Sequence, residues 1–182
     1  MKALIALLAG FLGVTVLLLC SAFLLPRTCR VERTVIISAP AAAVFPWITT
    51  VKRWPEWTAW TAARFPDMRL TFDGPESGVG ARYHWLGPTS GSGALKLTDC
   101  EVNQRVGYEL DFSDGKYLSR GSITLEPAGS GVRVRWTNEG DLGSNPFNRW
   151  FGFLMMDRML GDDLLTGLVS LKTRVETPPR KY

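Results

Sequence analysis

His84 is the only histidine in the chain, so a His-activated nucleophile or a His-rich metal centre would have to be assembled around one imidazole. In the run Arg82-Tyr83-His84-Trp85, strand alternation puts His84 beside Arg82, on the face away from Tyr83 and Trp85. No catalytic role is assigned to it. Cys20, Cys29 and Cys100 are spaced for neither a disulfide framework nor a thiolate metal site. Among the acids, Glu109, Asp111 and Glu139 have outward strand parity, while Asp99 and Asp141 fall near strand ends. No two carboxylates are spaced to share a proton. The glycine-rich stretches 74–80 and 87–93 each lie between two strands rather than between a strand and a helix, so they read as hairpin loops and not as phosphate cradles. No catalytic residue, metal or cofactor is assigned.

What remains is apolar and aromatic. Trp57, Trp60, Phe72, Tyr83, Trp85, Leu97, Tyr108, Leu110, Phe112 and Trp136 fall on or near one inward face, with Met155, Met156 and Met159 on a closing helical segment. Any one of these is ordinary core material. Together, many large aromatics with flexible methionines suit the lining of an adaptable apolar pocket. Of these, Trp57, Trp60, Phe72, Tyr83, Trp85, Leu97, Tyr108, Leu110, Phe112, Trp136, Met155 and Met159 are the candidate ligand-binding residues.

These side chains need a sheet and a cover. Val31 to Ser38 alternates and is rich in β-branched residues, which predicts a strand. Ala39-Pro40 opens a helix to about Trp47, and a second short helix or turn carries Lys52 to Trp60. Six further runs alternate between Gly, Pro, Asp or Asn punctuation: Met68-Leu70-Phe72, Ala81-Tyr83-Trp85, Leu95-Leu97, Val106-Tyr108-Leu110-Phe112, Ser119-Gly121-Ile123-Leu125 and Val132-Val134-Trp136. Arg69, Arg82, His84, Lys96, Glu109, Asp111, Arg120, Arg133 and Arg135 take the opposite parity, so one face is buried and one is wet. Asn145-Pro146 starts a long helix and Pro178-Pro179 ends it; Phe147, Phe151, Leu154, Leu165, Leu168 and Val175 predict its buried stripe, and Gly161-Asp162 a division into two. That helix is the element long enough to cover the sheet.

Ala3 to Leu25 contains no charge, and at about 1.5 Å per residue it can span the roughly 30 Å hydrocarbon core of a bilayer. A cleaved signal peptide is the competing reading, with Lys2 as the charged start and Cys20-Ser21-Ala22 as the small-residue site; the length of the apolar run favours a retained single-pass anchor. Lys2 stands on one side and Arg27, Arg30 and Arg33 on the other, so the positive-inside rule favours a cytoplasmic domain, but a short tail can stay inside while the domain is exported, and the side is left open. The expected organisation is an anchor over 1–26, a linker over 27–30, one domain over 31–177 and a tail over 178–182.

The net charge of +4 arises from 21 basic and 17 acidic residues spread along 182, which gives no nucleic-acid patch. Oligomeric state is not read from the sequence.

The sequence resembles the SRPBCC superfamily, the START and birch-pollen-allergen-like helix-grip proteins, and within it the polyketide cyclase/dehydrase and lipid transport branch. The resemblance is carried by residues 35–45 (VIISAPAAAVF), 54–60 (WPEWTAW), 78–85 (GVGARYHW), 103–106 (NQRV) and 167–172 (GLVSLK). It implies an α+β helix-grip fold: a seven-stranded antiparallel sheet wrapped around the C-terminal helix, with a hydrophobic cavity between. It implies no particular reaction, because function belongs to the site rather than the fold. The leading expectation is membrane-tethered binding of a hydrophobic or lipid-like small molecule. A cyclase-type enzyme using Tyr83, Tyr108 and Asn138 is the alternative, and an interaction domain with a filled core the second.

Overall fold

The computed structural model describes residues 2–112, 115 and 117–177, and the side chains of all of these except Ile5 and Ala6. The proline pair Pro178-Pro179 and the tail 178–182 lie outside the described residues.

Helix α1, Lys2–Ser21, continues as a 3-10 turn, Ala22–Leu24, and Lys2–Leu24 is long and apolar enough to cross a membrane by length and composition. Strand β1, Thr28–Ile37, follows. It begins earlier than alternation alone indicates. Thr28, Cys29 and Arg30 pair with Asp141, Gly140 and Glu139 of β7, Gly131–Asp141, so most of the segment read as a linker is strand. Arg27 fixes this start by gripping the Asp141 carboxylate at 2.9 Å.

Helix α2, Ala41–Thr49, and the one-turn α3, Trp54–Trp57, lie between β1 and the meander. The indole N–H groups of Trp54 and Trp57 donate to the carbonyls of Ile48 and Trp47 at 3.1 and 3.2 Å, which satisfies the polar atoms of two fully buried side chains.

Strands β2 (Arg69–Asp73), β3 (Arg82–Gly87), β4 (Gly91–Glu101), β5 (Arg105–Phe112) and β6 (Tyr117–Ala128) join β1 and β7 in one antiparallel sheet of order β1-β7-β6-β5-β4-β3-β2. Both glycine-rich stretches connect successive strands, with Gly87 paired to Gly91 across the β3–β4 hairpin. The register between β4 and β5 slips between Leu97 and Asp99, a bulge that adds bend to the sheet. Side chains alternate as the pattern requires: Tyr83, Leu95, Leu97, Val106, Tyr108, Ile123, Val134 and Trp136 are buried, whereas Arg69, Lys96, Glu109, Arg120 and Arg133 are exposed.

Helix α4, Pro146–Phe151, is capped by Asn145, whose side-chain oxygen accepts the Phe147 N–H at 2.9 Å. A π-turn, Gly152–Met156, leads into α5, Asp157–Glu176. The division expected at Gly161 is absent: α5 runs through it, and the lack of a side chain serves close packing, because a Cβ there would collide with the Arg33 guanidinium. The irregularity lies at Gly152 instead. A π-turn carries an extra residue, which rotates the helix face by about 100°, so apolar positions before and after it do not share one stripe. The buried side of α5 is Leu164, Leu168 and Leu171 with Gly161 and Gly167; Leu165 is exposed, as are Phe147, Phe151 and Leu154 ahead of α5. Of the predicted stripe, Leu168 is buried and Val175 packs on the core.

Candidate functional site: a cavity between sheet and helix

Between the curved sheet and α5 lies a cavity of about 560 Å³, partly open to the surface. Its walls come from Tyr83, Trp85 and Leu95 on β3 and β4, Tyr108, Leu110 and Phe112 on β5, Trp136 and Asn138 on β7, and Met156, Leu160 and Leu164 on the helical side. Trp54, Thr58, Trp60 and Phe65 close one end; Cys29, Gly140, Asp141 and Leu142 lie along the wall where β1 leaves the apolar helix. Leu142 is tied to that junction by its N–H, which donates to the Arg27 carbonyl at 2.8 Å. The third expectation, a filled core, fails on volume, since the space falls within the roughly 300–1,000 Å³ of ligand pockets.

Seven of the twelve candidate residues line the cavity: Trp60, Tyr83, Trp85, Tyr108, Leu110, Phe112 and Trp136. The other five do not. Trp57 and Leu97 are fully buried in the core, where the Trp57 ring lies tilted by 55° against Trp136 at 5.1 Å between centres. Phe72 sits on the edge strand β2 and remains exposed, touching Tyr83 at 6.1 Å between ring centres. Met155 and Met159 point outward because the π-turn sets Met156, and not its neighbours, on the inner side. Cys29, Thr58 and Leu142 join the lining without any signal in their spacing, since their positions depend on the β1–β7 ends and on the α3 turn.

One polar group sits deep in the cavity. Trp136 Nε1 and Asn138 Nδ2 both donate to the Tyr108 hydroxyl, at 2.7 and 3.2 Å. Trp136 and Asn138 are two residues apart on β7 and so present the same face, and Gly121 between them and β5 leaves room for the Tyr108 ring, which a Cβ at 121 would enter. A phenol oxygen has two lone pairs and one proton. With both lone pairs engaged, the Tyr108 O–H is left to donate, and among the described residues it has no acceptor. Burial pushes its pKa up to about 12, against the two donated hydrogen bonds, so it stays protonated. Burial also raises Tyr83.

The described lining includes no Lys, Arg or His side chain. Asp141 is its only ionised group, and that carboxylate is held by Arg27 and by the Gly143 N–H at 2.7 Å, which together lower its pKa. His84 lies off the cavity, half exposed, 3.0 Å from Asp73. Among the described residues no group of three or more His, Cys, Asp or Glu is placed to hold a metal ion. Asp67 pins the β3–β4 hairpin over the cavity through the backbone N–H of Thr89 at 2.7 Å and through the Thr89 hydroxyl.

Solved structures share this architecture. Protein CV1439 from Chromobacterium violaceum aligns over 84% of this chain and 100% of its own at 19% identity, with a TM-score of 0.53. The Aha1 dimer from Colwellia psychrerythraea aligns over 81% and 96% at 18% identity and a TM-score of 0.56. Ara h 8.0201 aligns over 81% and 97% at 13% identity and a TM-score of 0.56. At these identities the likeness is one of fold. No curated protein sequence matches. The family profile described as polyketide cyclase / dehydrase and lipid transport matches residues 28–176, from the first residue of β1 to the last of α5. With the helix-grip sheet, the long C-terminal helix and the cavity between them in place, the chain belongs to the polyketide cyclase / dehydrase and lipid transport family.

Proposed function

We propose that the chain is a membrane-tethered binding module that holds an uncharged, hydrophobic or lipid-like small molecule in the cavity between the sheet and α5. The observation that carries this reading is the lining itself: about 560 Å³ walled by aromatic and aliphatic side chains, with hydrogen-bonding hydroxyls and no cation among the described residues. An apolar body gains about 25 cal/mol for each Å² withdrawn from water. A carboxylate would enter without a counter-charge and lose its hydration. A ligand with one carbonyl or ether oxygen would instead meet the Tyr108 O–H.

The Tyr108 cluster also supports a second reading, a cyclase-type enzyme in which that phenol polarises a ketone. Such chemistry needs a proton acceptor as well. Asp141 is already engaged by Arg27, and His84 lies off the cavity, so binding is the better-supported function.

The test is titration of the full chain, held in amphipol, with the neutral dye Nile red. Phe112→Ala removes a half-buried wall and should weaken binding by about 1–3 kcal/mol. His84→Ala should leave it unchanged. A loss at His84 with none at Phe112 would put the site elsewhere and return weight to the enzyme.

A further inference from the structure

The apolar residues that the π-turn rotates away from the core form a surface of their own. Phe147, Phe153 and Leu154 are 70%, 61% and 62% exposed, with Phe151 and Met155 beside them. So many large apolar side chains on nine consecutive positions exceed the scattered exposure normal for a water-facing surface. Their location names what covers them. Trp150 Nε1 donates to the Leu18 carbonyl of α1 at 3.0 Å. Arg149 reaches the Phe23 and Leu25 carbonyls, each at 3.5 Å, and its guanidinium lies 5.4 Å from the Phe23 ring centre.

Leu18 precedes Leu24, the end of the candidate span, by six residues, which is roughly 9 Å along a helix. Interfacial helices bury their apolar side about 5–10 Å below the headgroups. A segment fastened to α1 at the level of Leu18 is therefore at interfacial depth if α1 crosses the bilayer, the part of the proposed function on which this step rests. We propose that the segment from Phe147 to Met155 lies in the surface of the bilayer that α1 crosses, with Phe147, Phe151, Phe153 and Leu154 in the outer hydrocarbon. Trp150 takes the amphipathic interfacial position usual for tryptophan, and Arg149 keeps its charge at headgroup level while its stem lies along apolar surface. Met156, which follows this segment, and Leu142, which packs against Gly152 within it, line the cavity, so the segment stands between the cavity and the lipid.

The experiment uses the full chain with Cys20, Cys29 and Cys100 replaced by Ser and a single new cysteine at Leu12, Phe153 or Arg133, each labelled with the environment-sensitive fluorophore NBD. All three positions are exposed, so labelling does not enter the core. In phosphatidylcholine vesicles, the labels at 12 and 153 should emit at shorter wavelength and lose emission to doxyl groups on the lipid chains; the label at 133 should lose emission to aqueous iodide. If the label at 12 meets lipid while that at 153 is quenched by iodide, the surface proposal falls and the tether stands. Protection at 153 from both quenchers, relieved on dilution of protein in lipid, would assign the surface to a second copy of the chain and overturn the proposal. A label at 12 that meets only iodide removes the tether, and the proposal with it.

Discussion

Tyr108 is where the chemistry of single residues is most constrained. Its oxygen accepts from Trp136 and Asn138, its ring occupies the space left by Gly121, and the residue borders a largely apolar cavity. The neutral phenol is favoured by folding, since burial raises its pKa from the ordinary 10 to about 12. For an acid whose folded pKa is raised, the unfolded chain ionises first as pH climbs, so the stabilisation is complete below pH 10 and disappears as pH passes through the folded value. Thermal unfolding of the full chain should therefore show a midpoint that falls steeply between pH 10 and about 12. Tyr108→Phe should flatten that fall, while lowering stability at pH 7 by about 1–3 kcal/mol because two buried N–H groups lose their acceptor. An unchanged alkaline profile in the variant would remove Tyr108 from this role.

At the scale of elements, the facing of β-strands is a matter of parity and the facing of the C-terminal helix is not. Arg133 and Val134 are adjacent on β7, one exposed and one fully buried, as a period of two demands. On α5, Leu165 and Leu168 belong to one apolar series, yet only Leu168 is buried. Leu168→Asp would place a charge between sheet and helix without a partner and should lower the denaturation midpoint severely, by about 3 kcal/mol or more. Arg133→Ala, on the wet face, should change stability by less than about 0.5 kcal/mol. Equal midpoints for the two variants in urea would contradict the arrangement of sheet and helix.

For the whole molecule, the sheet and α5 begin after the apolar helix ends, with β1 starting at Thr28. Both the core and the cavity are therefore built from the family-matched region 28–176. Deleting residues 1–26, which keeps the Arg27–Asp141 contact, should leave a chain that unfolds cooperatively. The undeleted chain is expected to resist alkaline carbonate extraction from membranes, and the deletion to release it. Release of the undeleted chain by carbonate, or recovery of a mature form that starts near Ala22, would replace the anchor with a signal peptide.

The sequence by itself determined the element order, the antiparallel sheet and the inner and outer faces of most strands, because period-two alternation and turn residues are local signals; the family was legible separately, in short motifs such as residues 54–60 and 78–85. Parity alone also put Tyr83, Trp85, Tyr108, Leu110, Phe112 and Trp136 on the inward face, and all six border the cavity. Parity tells inside from outside, but it does not tell a filled core from a cavity wall. Trp57, on the one-turn α3, and Trp136, on β7, are both fully buried, yet only Trp136 borders the space. The exit of Met155, Met159, Phe147 and Leu154 from the core likewise depends on one π-turn at Gly152, where the Leu142 side chain packs so closely that a Cβ would overlap it. Contacts of that kind join residues far apart in the chain, and only the tertiary structure brings them together.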